Sequence, residues 1–322
     1  MKLNNIIKKY LKIDASKIYD MQIGSQNKTY LIDNNYVIKV YNKDTINSEE
    51  KRLKREQKDI VSIEAKRNNI NTITPMKING KYIHKEGNTY FSFYPYTNYK
   101  SVEPKDINDA KIINLTNQIK KMHKIDFMSP IEDKKLDKQI LNLDRYLVIY
   151  EKTNKDLFDI VTKNRQMLEI LSNFINTSLD NLKTKNVICH NDLKPANILW
   201  NNDIPYLVDW DACGYSNPSC AFNEYAYFLS TEQGILNEEK FRLFVNTYYE
   251  NNKLEDDIDS ILYVTLYGKM SWLIYSLERS IYISQDERHE GEKAVKGIID
   301  SFNSYLRNYN KVKKIYEELN EK

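Results

Sequence analysis

The amino-acid sequence predicts an α+β protein with two lobes, a small β-rich lobe with one main helix followed by a larger, mostly helical lobe. Over the first ~100 residues, short runs rich in β-branched and aromatic residues alternate with turn residues. From about Asp106 onward, apolar residues recur at the three- and four-residue spacing of helices. We place the division near Pro95, with residues 1–96 as the N-terminal lobe and residues 97–322 as the C-terminal lobe.

The N-terminal lobe is predicted to contain four strands and one helix. The strands are expected over residues 18–23, 29–32, 36–41 and 90–96. Asn79-Gly80 and residues 86–88 are expected to form turns, because Asn and Gly tolerate a positive φ. The helix is expected over residues 48–68. Its apolar register is carried by Leu53, Ile60, Ile63 and Ala65.

The C-terminal lobe is predicted to be helical apart from one β-hairpin. Its first helix has an apolar stripe of Ile112, Leu115, Ile119 and Met122. Further helices are expected over residues 135–151, 155–183, 238–251, 256–283 and 292–320. The hairpin pairs residues 197–200 with residues 206–210 across a turn at residues 201–203.

The composition argues against several classes of protein. The 322 residues include 48 basic and 45 acidic side chains, and a net charge of +3 does not suit a dedicated nucleic-acid binder. The three cysteines have no paired spacing and the four histidines are scattered, so neither a disulfide framework nor a zinc site is expected. No apolar run approaches the length of a membrane helix, so we expect a cytoplasmic protein without a membrane partner.

The most informative segment is HNDLKPAN, at residues 190–197. Asp192 is the candidate catalytic base, because a carboxylate can orient a hydroxyl and accept its proton. Asn197 offers a neutral oxygen ligand to magnesium, and Asp209, at the end of the hairpin, offers a carboxylate. The hairpin brings Asn197 and Asp209 to one end. This set indicates phosphoryl transfer to a hydroxyl. The alternative is a loop aspartate that only caps a helix.

A lysine in the third predicted strand provides a cation for the phosphates. Lys39 lies in the run YVIKV at residues 36–40 and shares a strand face with Val37. It suits the α- and β-phosphates of ATP or GTP, and an exposed edge lysine is the alternative. Glu56 in the following helix is predicted to pair with Lys39. Its competitors are Glu49, Glu50 and Glu64.

Two further segments are expected to contact the nucleotide. The loop at residues 23–29, which includes Gly24 and Ser25, could cover the phosphates with backbone N–H groups, and an ordinary hairpin loop is the alternative. The run FYPY at residues 93–96 ends the small lobe. The carbonyl of Tyr94 and the N–H of Tyr96 suit a nucleotide base, because Pro95 between them has no N–H.

These residues resemble the aminoglycoside phosphotransferase and choline kinase superfamily. The resemblance rests on HND at residues 190–192 with Asn197, on LVDWD at residues 207–211, and on CGYSNP at residues 213–218 followed by Glu224. It spans about residues 20–310 and implies a protein-kinase-like fold with ATP or GTP in the cleft. It also implies the base role for Asp192, the metal roles for Asn197 and Asp209, and the phosphate role for Lys39.

The sequence departs from protein kinases at two points. Asn191 stands where they have Arg, and Asp209-Trp210-Asp211 stands where they have Asp-Phe-Gly. No Ala-Pro-Glu motif follows, which favours a small-molecule substrate. Leu193-Lys194-Pro195, however, matches the sequence that Ser/Thr protein kinases have at this position, where the lysine neutralises the γ-phosphate. Lys194 is therefore a candidate catalytic residue, and a solvent-facing loop lysine is the alternative.

In the phosphotransferases that the chain resembles, the helices of this region line the acceptor pocket, so the resemblance implies that the helix predicted over residues 256–283 contacts the acceptor. Its core stripe is Leu262, Leu266, Met270, Leu273 and Leu277, and a second stripe is Gly268, Trp272, Tyr275 and Arg279. Trp272 and Tyr275 could hold a quaternary ammonium by cation–π contact or stack on a sugar ring or heterocycle. Packing under a neighbouring helix is the alternative. The acidic candidates for a polycationic acceptor are Asp211, Glu224, Glu255, Asp256, Asp257 and Glu278. For the run at residues 255–257, a solvated helix start is the alternative.

We therefore predict a small-molecule kinase that uses ATP or GTP with Mg²⁺. The acceptor hydroxyl is expected on an aminoglycoside-like antibiotic or on an amino alcohol such as choline. Residues 1–96 would bind the nucleotide, and residues 97–322 would carry catalysis and bind the acceptor. A monomer or homodimer without a nucleic-acid partner is expected. The alternatives are a protein-kinase-like autophosphorylating enzyme and a catalytically weak nucleotide-binding relative with an interaction role.

Overall fold

The computed structural model describes residues 3–21, 27–43, 46–127, 131–133, 135–250, 252–282 and 284–321. The chain divides into two compact units. The first comprises residues 1–103, 117–133 and 187–215, and the second comprises residues 104–116, 134–186 and 216–322. The predicted catalytic segment (residues 190–197) and the hairpin therefore belong to the same unit as the β-rich N-terminal residues. The lobe boundary at residue 96 stays a prediction.

The first unit is built around a five-stranded antiparallel sheet, which confirms its predicted β-rich character. The strands are β1 (Ile18–Asp20), β2 (Lys28–Ile32), β3 (Tyr36–Val40), β4 (His84–Glu86) and β5 (Thr89–Pro95). Their order in the sheet is β1-β2-β3-β5-β4, and β4 is an addition to the predicted set. Lys39 lies in the central strand, opposite Thr29 on one side and Ser92 on the other.

Two helices accompany this sheet. Helix α1 (Leu3–Leu11) buries Ile6 and Ile7 in a cluster with Ile38 and its apolar neighbours from β2 and β5. Because successive side chains on a strand alternate in direction, Lys39 faces away from that cluster. Helix α2 (Glu49–Arg67) begins at Ser48, whose side chain accepts the N–H of Lys51.

The predicted apolar register of α2 is wrong at two of its four positions, Leu53 and Ile60. Leu53 is 50% exposed and Ile60 is 40% exposed, whereas Arg52, Arg55 and Asp59 are buried. The physical reason is that the face of α2 that is turned inward meets charged groups. Arg55 and Asp59 have their partners there, so the charged side chains are covered and the apolar ones are left outside.

The catalytic segment is framed by four short strands, β6 (Val187–Cys189), β7 (Ile198–Asn201), β8 (Ile204–Leu207) and β9 (Gly214–Ser216). The predicted hairpin is confirmed as β7 and β8, with Ile198 opposite Leu207. Asn202 in its turn has a φ of 55°, which Asn tolerates. Strands β6 and β9 form a second pair. Short 3₁₀ turns occur at Pro195–Asn197 and Trp210–Ala212, and a third at Pro104–Asp106.

The remaining elements are mostly helices, as predicted. They are α3 (Asp109–His123), α4 (Asp144–Thr153), α5 (Lys155–Ser178), α6 (Pro218–Ser230), α7 (Glu238–Tyr249), α8 (Ile258–Val264), α9 (Tyr267–Arg279) and α10 (Gln285–Asn320), with a small pair of strands, β10 (Thr231–Glu232) and β11 (Ile235–Leu236). Residues 117–123 of α3 belong to the first unit, and the rest of these elements belong to the second. Helix α6 was not predicted, and the helix expected from residue 135 begins only at Asp144.

The helix predicted over residues 256–283 is divided into α8 and α9. Thr265 lies at the break, and its hydroxyl is 2.8 Å from the carbonyl oxygen of Ile261, a bond that is typical of bent helices. The predicted core stripe is nevertheless confirmed, because all five of its side chains are buried. Within the described part of the chain, no helix combines the length and apolar character needed to cross a membrane.

Candidate active site

His190 anchors the catalytic segment. Its side chain is buried, and its Nε2 lies 3.0 Å from the carbonyl oxygen of Val208. Burial lowers the pKa of His190 to about 4, so the ring is neutral and Nε2 donates to that carbonyl. The next residue, Asn191, has a φ of 59° and turns the chain out of β6. The loop that carries Asp192 is thereby tied to the segment that carries Asp209.

Asp192, Lys194 and Asn197 contact one another in the loop before the hairpin. Asn197 Nδ2 donates to Asp192 Oδ2 and to the Asp192 carbonyl, both at 2.8 Å. Lys194 Nζ lies 2.9 Å from the same Oδ2. Both side-chain contacts engage one carboxylate oxygen, so Oδ1 is the atom suited to an acceptor hydroxyl. The side chain of Asp192 is 35% exposed, which leaves it accessible to a substrate.

Lys39 meets the end of the hairpin. Its Nζ lies 2.7 Å from Asp209 Oδ1 and 2.8 Å from both carboxylate oxygens of Asp211. Asp209 has a left-handed backbone with a φ of 63°, which allows the chain to turn sharply between β8 and the following 3₁₀ turn. Trp210 fixes this turn, because its indole Nε1 donates to Thr72 Oγ1 at 2.8 Å.

The charges in this cluster perturb one another. Burial by itself would lower the pKa of Lys39, but the carboxylates of Asp211 and Asp209 outweigh it and raise that pKa. Burial by itself would raise the pKa of Asp211, but Arg55 and Lys39 hold it well below its usual range. The pKa of Asp209 is raised by burial and by the neighbouring charge of Asp211, against the effect of Lys39. Lys39 is therefore protonated and Asp211 ionised at neutral pH.

The helix partner predicted for Lys39 was wrong. Glu56 accepts a hydrogen bond from Arg52 Nη1 at 2.5 Å, and the side chains that contact the Lys39 ammonium are Asp209 and Asp211. Glu56 points from the neighbouring face of α2, about 100° around the helix from Arg55. Arg55 takes the inward position, with its Nη2 2.6 Å from Asp211 Oδ1.

Sequence reasoning missed three residues of α2, namely Arg55, Lys58 and Asp59. Lys58 Nζ donates to the backbone carbonyl of Asp211, and Arg55 Nη2 is 3.0 Å from Asp59 Oδ1. Burial raises the pKa of Asp59 to about 6. The sequence signal that could have found them is the i, i+4 spacing of Arg55 and Asp59 in a helix with few apolar residues.

The oxygen ligands of this unit suit magnesium. Asp209 and Asp211 place two carboxylates on one ammonium, and the described hydrogen bonds of the Asn197 amide use Nδ2, which leaves Oδ1 as a possible ligand. Within the described ranges, no group of three or more His, Cys, Asp or Glu side chains could hold a metal by itself. Two carboxylates with one amide oxygen fit Mg²⁺, which binds few protein ligands and takes others from phosphates and water.

The predicted nucleotide contacts are placed only in part. Gly24 and Ser25 lie outside the described residues. Asn27, just after them, has its Nδ2 3.4 Å from Asp211 Oδ2. The N–H of Tyr96 donates to the carbonyl of Asn35 at 2.9 Å, so the predicted contact of this N–H with a base is not supported. The reason is that pairing beside β3 continues one residue beyond β5. The role of Tyr94 stays a prediction.

Two of the predicted acceptor residues on α9, Trp272 and Tyr275, contact each other. The rings of Trp272 and Tyr275 stack, with centroids 5.1 Å apart and planes inclined by 26°. They are 36% and 42% exposed, which disfavours the alternative that they pack under another helix. Arg279, in contrast, is mostly covered and its Nε binds Glu287. Gly268 is exposed on the same helix.

Glu224 interacts with Lys269 on α9. Its charge acts on Lys269, whose Nζ is 2.6 Å from Ser301 Oγ and 4.0 Å from the centroid of the Phe228 ring. Burial lowers the pKa of Lys269 to about 8, and Glu224 opposes that shift. The acceptor role of Glu224 stays a prediction.

Three of the acidic acceptor candidates have structural contacts. Asp256 is buried and accepts the N–H groups of Lys183 and Thr184, at 2.6 and 2.9 Å. Asp257 caps α8 by accepting the N–H of Ser260, and Glu278 binds Arg145 and Tyr146. Glu255 is exposed. Asp211, also predicted from the sequence as an acceptor candidate, belongs to the cluster around Lys39 in the first unit.

Comparison with known proteins identifies the family. The family model described as choline/ethanolamine kinase matches residues 34–320. No curated protein sequence matches the chain. Among solved structures, the spectinomycin phosphotransferase APH(9)-Ia in complex with ADP and spectinomycin is similar with a TM-score of 0.71 and 14% identity, over 95% of this chain and 98% of that one.

Two other solved structures agree with this result. A choline/ethanolamine kinase family protein from Mesorhizobium loti has a TM-score of 0.61 and 11% identity, over 98% of this chain and 100% of that one. The GDP and kanamycin complex of APH(2″)-IIIa has a TM-score of 0.62 and 15% identity, over 93% of this chain and 98% of that one. These similarities confirm the predicted kinase-like fold. The chain belongs to the choline/ethanolamine kinase family and is a phosphotransferase that acts on a hydroxyl acceptor.

Proposed function

We propose that the chain transfers the γ-phosphoryl group of ATP or GTP, with Mg²⁺, to the hydroxyl of a small amino alcohol of the choline type. The observation that carries the proposal is the meeting of Lys39 and Asp209, 170 residues apart in sequence, at 2.7 Å. The unit that contains this pair also contains Asp192 with its two partners, Lys194 and Asn197. A cation, an acidic metal ligand and a base are the parts that phosphoryl transfer needs.

The proposed mechanism gives each of these residues one task. Asp192 orients the acceptor hydroxyl and takes its proton at Oδ1, while Asn197 and Lys194 hold Oδ2. Lys39 shares its charge between the metal-binding carboxylates and the phosphates. When bound, Mg²⁺ would neutralise charge on the phosphates, and Asp209, Asp211 and Asn197 would hold it.

The stacked pair of Trp272 and Tyr275 supports a quaternary ammonium acceptor. Two adjacent, partly exposed aromatic faces suit a cation without hydrogen-bond donors, because the attraction comes from the ring quadrupoles. Membership of the choline/ethanolamine kinase family points to the same class.

An aminoglycoside is the second candidate acceptor, favoured by the similarity to a spectinomycin phosphotransferase. A polycationic acceptor needs several available carboxylates. Asp256, Asp257 and Glu278, however, are already engaged by backbone N–H groups or by Arg145. This engagement favours the amino alcohol.

The test is a nucleotide-consumption screen of the purified full-length chain. ATP and GTP are each offered with choline, ethanolamine, thiamine, simple sugars and several aminoglycosides, and product formation is followed by mass spectrometry. We expect turnover with choline or ethanolamine and none in Asp192→Ala. Turnover confined to aminoglycosides would replace the proposed acceptor. Near-native turnover by Asp192→Ala would overturn the proposed mechanism.

A further inference from the structure

One face of helix α2 is buried although it is charged. Arg55, Lys58 and Asp59 follow the i, i+3, i+4 spacing that places side chains on one face of a helix. Arg55 is 7% exposed and Asp59 is 1% exposed. A helix of a small lobe normally buries an apolar stripe, because burying charges is costly unless they are paired. These charges therefore require specific partners.

Their partner is the short turn that carries Asp211. Arg55 Nη2 lies 2.6 Å from Asp211 Oδ1, and Lys58 Nζ donates to the backbone carbonyl of the same residue. Cys213 Sγ lies 3.9 Å from the Lys58 carbonyl oxygen. Helix α2 thus holds Asp211 by both its side chain and its main chain.

Arg55 acts through a single nitrogen. The same Nη2 that contacts Asp211 lies 3.0 Å from Asp59 Oδ1, so it bridges the two carboxylates. Its Nε and Nη1 are buried and have no hydrogen-bond partner among the described residues. The guanidinium carbon lies 5.6 Å from the centroid of the Tyr41 ring. The ion pairs of Arg55 therefore join Asp59 on α2 to Asp211 in the turn.

The position of Asp211 bears on its neighbour Asp209. Only Trp210 separates the two, and the backbone of Asp209 has a φ of 63°, a conformation that persists in a non-glycine residue only where the surroundings impose it. Lys39 contacts both carboxylates. A shift of Asp211 would consequently move the contacts of Asp209 as well.

We propose that Arg55, supported by Lys58 and Asp59, is a positioning residue that fixes Asp211 and, through it, the carboxylate of Asp209. This inference rests on the proposed function, in which Asp209 and Asp211 hold Mg²⁺. Helix α2 then controls the geometry of the metal ligands through Arg55, while Glu56 on the adjacent face is occupied by Arg52.

The test compares ADP binding with and without Mg²⁺ by calorimetry on the full chain. In Arg55→Met, we expect the gain in ADP affinity that Mg²⁺ provides to fall by about tenfold or more, as is typical when a residue that orients a metal ligand is removed. ADP affinity without Mg²⁺ should change by less than about threefold. Arg55→Lys should restore part of the gain, because it keeps the charge but loses the planar fork.

The matched control is Arg52→Met. Arg52 is also mostly buried on α2 and is also ion-paired, but its partners are Glu49 and Glu56. It should leave the Mg²⁺-dependent gain unchanged. A purely structural role of Arg55 predicts equal losses in both variants, and that result would overturn the proposal.

Arg55→Met leaves Asp59 as an unpaired buried charge and can fail to fold. The double variant Arg55→Met/Asp59→Leu removes both charges. It should fold, lack the Mg²⁺-dependent gain, and exchange the amide hydrogens of residues 210–213 faster than wild type. The inference would be overturned if the double variant folds, keeps the wild-type gain in ADP affinity with Mg²⁺, and exchanges these amide hydrogens at the wild-type rate. If the wild-type chain itself binds no ADP with Mg²⁺, the proposed function fails, and the exchange rates of residues 210–213 alone decide whether Arg55 positions this turn.

Discussion

The cluster around Lys39 and the aromatic pair on α9 differ in how their residues are held. Lys39 and Asp209 come from distant parts of the chain and are joined by a direct ion pair. Trp272 and Tyr275 are three residues apart on one helix and contact each other, with both rings partly exposed. The first arrangement is fixed by many partners, and the second is a surface on which ligands of several kinds could stack.

This difference suggests a division of labour that mutations can test. Changes near Lys39 and Asp192 should lower turnover with every acceptor, since they act on the phosphoryl group and the base. Changes on α9 should alter the preference among acceptors and leave the chemical step nearly intact.

Asp192→Asn should have the largest effect. Removing the base should lower kcat by about 10²- to 10⁴-fold with choline and with any other acceptor, while the Kd for the nucleotide stays near wild type. Steady-state kinetics with two acceptors measure this. Lys194→Met, which removes one partner of the same carboxylate, is the control and should cost much less. If the loss in kcat depended on the acceptor, Asp192 would not act equally on all acceptors, and the proposed separation from the role of α9 would be wrong.

Lys39→Met should lower kcat/KM for the nucleotide by about 10²-fold, because a buried cation shared with phosphates contributes strongly to the transition state. Lys28→Met, an exposed lysine of the neighbouring strand, should have little effect. The measurement is the dependence of initial rate on ATP concentration. Similar losses in both variants would contradict the role of Lys39.

Asp256→Ala tests whether an acidic residue before α8 is structural. We expect the free energy of unfolding to fall by about 2–4 kcal/mol, because the buried amide of Asn217 and the N–H groups of Lys183 and Thr184 lose their acceptor. Glu255→Ala, next to it and exposed, should change it by less than about 0.5 kcal/mol. Urea unfolding measures both. If Asp256→Ala is as stable as wild type but has a higher KM for the acceptor, Asp256 binds the acceptor and is not a structural residue.

Trp272→Ala should raise the KM for choline by about tenfold and change kcat by less than about twofold, since a cation–π contact contributes roughly 1–2 kcal/mol. Trp272→Phe should retain part of the affinity. Tyr282→Ala, also at an exposed aromatic side chain, is the control. The KM for 3,3-dimethylbutanol, a neutral isostere of choline, should respond less than that for choline. An equal response would mean that the pair recognises shape and not charge.

The smallest effect concerns pH. The pKa of His190 is lowered by burial to about 4 in the folded chain, whereas an unfolded His titrates near 6.5. The unfolded state therefore binds more protons between these values, and stability present above pH 6.5 is lost as the pH falls. His190 should contribute a loss of about 1 kcal/mol between pH 7.5 and 5.5. In His190→Leu, the free energy of unfolding should depend less on pH. An unchanged slope would contradict the burial of the His190 ring away from water.

Much of the fold could be predicted because it depends on local patterns. The strands around Lys39, the hairpin and the core stripe of α8 and α9 follow from periodicity and turn residues, which act over a few positions. Helix α6 was missed, since it is buried on nearly all sides and lacks a clear polar face. The apolar register of α2 failed because the charges that cover its inner face come from the turn at Asp211, far along the chain.

The sequence by itself determined the identity and spacing of the chemical groups, Asp192, Asn197, Asp209 and Lys39. The spacing of Asp192, Asn197 and Asp209 reflects the short loop and hairpin that separate them, and that is a local property. Only the tertiary structure decided that Arg55 rather than Glu56 faces the Lys39 cluster, that the Tyr96 N–H is engaged by Asn35, and that Asp256 is a structural acceptor. When distant segments pack together, each buried charge or N–H group loses water and needs a partner. Patterns in a single sequence do not show which distant residues meet, so they do not identify that partner.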